Sequence, residues 1–193
     1  MKYLLLGLVF AAGVLAAHLA GSTAAADPKP ADPPPNPNID MTAFLRGAQA
    51  AAKHRESRRL SEADFVKMSR EPGVIVLDAR SKQMYDLLHV NGAINLSFPD
   101  IDAVSLKEVL PDRDAKILIY CNNNFTPAPG VSNSARGQAD PKVAAAFRPK
   151  SAGLSLNLST QVALFNYGYK NVYELAPLVD PAKTELELVS ANK

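Results

Sequence analysis

The chain has 193 residues, 47% of them apolar and 21% charged, a balance that sustains one packed domain and excludes wholesale disorder. Lys and Arg total 21 against 19 Asp and Glu, a net charge of +2, so no global field recruits nucleic acid. The single cysteine, Cys121, excludes an internal disulfide framework, a CxxC redox pair and a structural zinc knot, and the three scattered histidines form no HxxxH pair. Neither a metal nor a cofactor is expected.

Met1-Lys2 opens a short positive region, and Tyr3 to Ala17 is uncharged and rich in Leu, Val and Ala. Small residues follow, and Ala24-x-Ala26 fits a signal-peptidase site, so residues 1–26 read as a signal peptide cleaved before Asp27. The alternative is an N-terminal membrane anchor facing the periplasm, because the uncharged run reaches Ala26 and approaches the length of a bilayer span. On the first reading the mature protein is periplasmic or secreted, with no membrane contact after cleavage. A lone thiol in that compartment has no partner within the chain. It is either buried and inert or exposed and chemically used.

Residues 27–38 hold six of the 15 prolines and read as an extended linker. An N-terminal helical segment spans 39–57: Asp40 is a good N-cap, and Met41, Phe44, Leu45 and Ala48 recur at helical spacing to about Lys53. Ser61-x-x-Asp64 starts a helix through Phe65, Val66 and Met68 that Pro72-Gly73 stops. Val74-Ile75-Val76-Leu77 has no alternation, as in a strand buried on both faces. Ser81 caps a helix carrying Met84, Tyr85, Leu87 and Leu88, and Ala93 to Leu96 forms a short strand. Asp100 or Asp102 caps a helix through Leu106 and Leu110, and Ile117-Leu118-Ile119-Tyr120 is a second fully apolar strand. Ser159 to Tyr167 reads as a helix closed by Gly168, and Val172 to Leu175 as the last strand. This alternation predicts an α/β fold with an open, mainly parallel sheet.

Residues 126–158 break the rhythm as an insertion with four prolines, three glycines and little apolar periodicity. Such loops are uncommon in compact domains. This one reads as a mobile flap, with Arg136, Lys142, Arg148 and Lys150 against Asp140.

In open α/β sheets ligands bind at the carboxyl ends of strands, and Cys121 stands at one. Asn122-Asn123-Asn124 follows it, and asparagine tolerates left-handed backbone, so successive N–H groups here are expected to form an anion nest around a thiolate. On placement alone, a small buried hydrophobe ending a core strand is an equal reading.

Val74 to Arg80, ending in Asp78-Ala79-Arg80, then His89-Val90-Asn91-Gly92-Ala93-Ile94-Asn95, then the strand ending on Cys121, then Gly168-Tyr169-Lys170-Asn171-Val172-Tyr173-Glu174-Leu175, together resemble the rhodanese-like (thiosulfate sulfurtransferase-like) domain. The resemblance covers residues 58–180, leaving 181–193 as a C-terminal tail. It implies a five-stranded parallel sheet flanked by helices. It also implies a double displacement, in which Cys121 takes sulfane sulfur from a small anionic donor such as thiosulfate and passes it to a thiol or cyanide. Asn122, Asn123, Asn124 and Phe125 then form the substrate- or anion-binding loop. That loop lacks the family's usual Arg or Lys, so donor-binding cations come from elsewhere, with Arg136, Arg148 and Lys150 as candidates. Asp78 and Arg80 read as a structural ion pair, His89 as ordering its own loop, and Gly92 as permitting a backbone angle other residues resist. The related C-x5-R phosphatase loop is excluded, because the sixth residue after Cys121 is Pro127. Two other functions fit the same scaffold: a non-catalytic module docking a partner protein at the insertion, and a single-thiol redox sensor.

The processing expectation is direct to check. N-terminal sequencing of exported protein should begin at Asp27, and an intact Met1 in the membrane fraction would overturn cleavage.

Overall fold

The structure, a computed structural model, describes residues 34–126 and 145–191. The proposed signal peptide, Arg136 and the middle of the insertion lie outside the described residues. Each early helix begins where a side chain satisfies the first turn's amides. Asp40 accepts from Ala43 N at 2.8 Å to cap α1 (Met41–Arg55), and Ser61 accepts from Asp64 N to cap α2 (Glu62–Ser69). Ser81 caps α3 (Lys82–Leu87). Of the two aspartates considered, Asp102 caps α4 (Ala103–Val109), in a reciprocal box with Ser105. The helix expected from Ser159 begins earlier, as α5 (Leu156–Asn166).

The strands are β1 (Arg59–Leu60), β2 (Ile75–Asp78), β3 (His89–Val90), β4 (Ile94–Asn95), β5 (Ile117–Tyr120), β6 (Val172–Leu175) and β7 (Leu188–Val189). Five of them form a parallel sheet in the order β1-β6-β5-β2-β4. The apolar runs lack alternation because both faces of the sheet are covered. Val76, Leu118, Tyr120 and Leu175 pack with Phe65 and Val66 of α2 on one side. Leu77, Ile117, Ile119 and Val172 pack with Leu106 of α4 and Leu164 of α5 on the other. From β2 the next neighbour in the sheet, β4, lies one way; from β5 the next, β6, lies the other. The strand order therefore reverses between β2 and β5, and the crevice outside their carboxyl ends is where such sheets bind ligands.

Three expectations change. The tail is part of the fold: Leu188–Val189 pairs antiparallel with His89–Val90, and Leu186 is buried in the core, because these apolar residues cover an otherwise open edge. The described end of the insertion is not a flap. Ala146 and Phe147 are buried, and Phe147 stacks on Phe125 with ring centroids 3.9 Å apart, so one aromatic anchors a segment that has no periodicity. The apolar stripe at the start of α1 faces outward, with Met41, Phe44 and Leu45 exposed and only Ala51 buried.

A buried ionic hub holds the carboxyl end of the sheet. Arg80 and Asp78 are 2% and 0% exposed and form a forked pair, Nε to Oδ1 at 2.9 Å and Nη2 to Oδ2 at 2.6 Å. Arg80 also donates to Leu88 O at 2.7 Å and Ala146 O at 2.9 Å, while Tyr120 donates to Asp78 Oδ2 at 2.6 Å and accepts from Val90 N. Burial works against the Arg80 charge, but the hydrogen bonds and charge of Asp78 more than offset it and raise its pKa. Burial first, then the Asp78 charge, holds the Tyr120 hydroxyl protonated well above the usual phenol range. Removing one partner leaves an unpaired charge without water, so Arg80→Met should cost about 3–5 kcal/mol in denaturant unfolding. Lys82→Met, which breaks the exposed pair with Asp86, should cost under about 1 kcal/mol. Equal losses from the two substitutions would refute the hub's role.

Candidate functional site

Cys121 continues β5 in extended backbone, so its side chain shares the face of Ile117 and Ile119 and points toward the α5 layer. It is fully buried, at 0% exposure. Its Sγ lies 3.4 Å from Ser155 Oγ, where either group can donate, while the backbone N–H of Asn124 donates to Cys121 O at 3.1 Å. Ser155 occupies the N-cap position of α5 but makes no capping bond there. Its hydroxyl is turned to the sulfur instead.

The asparagine loop does not form the expected nest. No described residue other than glycine has a positive φ, and Asn122–Asn124 is a single 3₁₀ turn closed by side-chain amides. Asn124 Oδ1 accepts from Cys121 N at 2.9 Å and Asn157 Nδ2 at 3.0 Å, while its Nδ2 donates to Leu175 O at 2.6 Å. Asn123 donates to Lys150 O at 2.7 Å and accepts from Lys150 N at 3.0 Å, and Asn122 donates to Arg148 O. The amides are spent as clamps, because they satisfy backbone groups that neither helix nor sheet reaches. Phe125 is buried against Phe147 and Tyr120, so it packs the core and does not line the site.

The remaining motif residues act away from the sulfur. Asp78 and Arg80 belong to the hub. His89 Nδ1 lies 2.7 Å from Tyr85 O, and its ring stacks on Tyr85 at 3.7 Å. Gly92 has φ +77°, a conformation that L side chains rarely adopt, at the turn between β3 and β4.

Two cavities flank the Cys121 loop. The larger, about 380 Å³, opens at the β2/β5 crevice, lined among others by Ser81, Ser97, Asn122, Arg148 and Lys150. The structure thus brings two of the three candidate cations beside the loop, carried there by Asn122 and Asn123. The smaller cavity, about 240 Å³, lies on the Ser155 side, with Arg55, Asn123, Asn157 and Glu174 in its wall. Ser155 and Asn157 were not singled out from the sequence, and Arg55 reads there only as part of a basic, solvated helix end, whereas the structure forks it onto the buried Glu174. Only the serine ahead of a helix and the charge inside a strand, at Glu174, signalled them.

Asn124 is the clamp with the most buried partners. Asn124→Ala should therefore lower stability by about 1–3 kcal/mol, since Cys121 N and Leu175 O lose their partner. Asn123→Ala, at the half-exposed position, should cost less; thermal melts compare the two.

A family model for the rhodanese-like domain matches residues 61–176. No curated protein matches the chain. Among solved structures, rhodanese from E. coli, determined with anions, is similar at 20% identity and a TM-score of 0.35, over 61% of this chain and 98% of that one. The BH2092 protein of Bacillus halodurans is 21% identical, with a TM-score of 0.41, over 76% of this chain and 87% of that one. Thiosulfate sulfurtransferase from Pseudomonas aeruginosa is 15% identical, with a TM-score of 0.43, over 78% of this chain and 23% of that one.

Proposed function

We propose that this chain, which belongs to the rhodanese-like domain family, is an exported sulfurtransferase working through Cys121. The observation that carries the reading is the sulfur's position. It ends the central strand beside the point where strand order reverses, and its Sγ lies 3.4 Å from the Ser155 hydroxyl, which can donate to it. Preorganised donors aimed at sulfur stabilise the thiolate and the persulfide anion alike.

In the first half-reaction the Cys121 thiolate attacks the sulfane sulfur of thiosulfate. A new S–S bond forms, the old one breaks, and sulfite leaves with the electron pair. In the second, a thiolate or cyanide attacks the outer sulfur of the persulfide. The enzyme thiolate departs as leaving group, and a new persulfide or thiocyanate is released. Arg148 and Lys150, at the rim of the larger cavity, attract the anionic donor; Arg136 belongs to the same charged segment. Export follows from the signal-peptide reading, with the membrane-anchored form as its alternative.

One observation favours a second reading, a non-catalytic module that docks a protein partner at the insertion. Cys121 is fully buried. Intact mass separates the two. Thiosulfate should add one sulfur atom to the chain, cyanide should remove it, and Cys121→Ser should abolish the gain. A thiol that resists both sulfur transfer and alkylation until unfolding would leave the docking module standing.

A further inference from the structure

The matched domain begins at residue 61, yet the wall of the cavity on the sulfur's side includes Arg55, the last residue of α1. Its placement is enforced. Glu174 lies in β6 with 2% of its surface exposed, and a carboxylate so buried needs a cation. Arg55 answers it with a fork, Nε to Oε2 at 2.8 Å and Nη2 to Oε1 at 2.5 Å, and Arg59 Nε adds a third bond at 3.1 Å. Two guanidiniums thus share one carboxylate, leaving a net single positive charge. The Arg55 side chain remains 27% exposed, and its Nη1 is not used in the fork to Glu174.

Two further features border the same cavity. Because Ser155 faces Cys121 Sγ, the eleven-residue helix α5 lacks a side-chain cap, and its first-turn amides have no side chain across them. Asn157, 6% exposed, lines the cavity with its Oδ1 unpaired.

We propose that Arg55 and the uncapped start of α5 bind the oxyanion end of the sulfur donor beside Cys121. A helix outside the rhodanese-like domain thereby supplies the cation that the loop after Cys121 lacks. Glu174 is a positioning residue that aims Arg55. The proposal rests on the sulfur-transfer reading for its ligand, an anionic sulfane-sulfur donor. It assigns Arg148 and Lys150 the earlier task of attraction from the opposite cavity.

The test is thiosulfate binding by titration calorimetry at low salt, in the full chain carrying Cys121→Ser so that no turnover occurs. Adding Arg55→Gln should weaken binding at least about tenfold, as expected for one lost charge-assisted contact. Arg55→Lys should fall between the two, because a point charge replaces the fork. Arg55→Gln leaves the buried Glu174 with only its single bond from Arg59, so the pair Arg55→Gln/Glu174→Gln guards against misfolding and should bind as weakly. Undiminished binding in either Gln variant, with an intact melting transition, overturns the proposal, as does absence of thiosulfate binding to the parent chain. The two readings fail separately. Arg55-dependent binding without a sulfur adduct on Cys121 sinks transfer and leaves the anion site, whereas an adduct with Arg55-independent binding does the reverse.

Discussion

A guanidinium sealed from water must find every partner inside the protein, and Arg80 draws on separate stretches of chain to do so. Asp78 at the end of β2, Leu88 after α3 and Ala146 in the described end of the insertion each give it an acceptor, and the Tyr120 and Phe147 rings lie 5.5 and 4.9 Å from its charged carbon. Such a pair contributes little net stability against a well-packed apolar replacement, because desolvating both charges offsets most of their attraction. Its value is geometric. A forked guanidinium accepts only one arrangement of its partners, so the hub fixes where residues 145–147 return to the sheet and hence where the Cys121 loop is anchored.

That anchoring explains the character of the loop. With Arg148 and Lys150 held in place, their backbone groups meet Asn122 and Asn123, and the asparagines lock onto them. A loop whose side-chain amides are bonded in this way is held in one shape, with those amides turned to backbone groups. Charged groups stand instead in the walls of the cavities on either side of the loop, Arg148 and Lys150 in one and Arg55 in the other.

Much of the fold was legible because its signals are local. The runs Val74 to Leu77 and Ile117 to Tyr120 had to be doubly covered strands, and Asp40, Ser61, Ser81 and Asp102 each announced a helix. Strands β1, β3 and β7 are two residues long and carry no periodicity to detect. The start of α5 was hidden for a subtler reason: its buried face is polar, with Asn157, Thr160 and Gln161 preceding Leu164 at helical spacing. In α1 the stripe was real, but apolar spacing does not say whether a neighbour covers it. Cys121 could be placed from the strand it ends. Ser155 could not, since it reaches the sulfur from 34 positions away, nor could Arg55, which meets Glu174 across 119.

The pairing of β3 with β7 sets the order in which this chain matures. His89 lies opposite Val189, and Leu186 seals the core beneath them, so residues near the middle of the sequence wait for residues synthesised about a hundred positions later. Contacts of such separation form late, since closing the intervening loop costs entropy before any contact repays it. While a nascent chain is still growing, the β3 edge stays uncovered and the domain stays short of its final state. That delay is a window in which the polypeptide remains threadable.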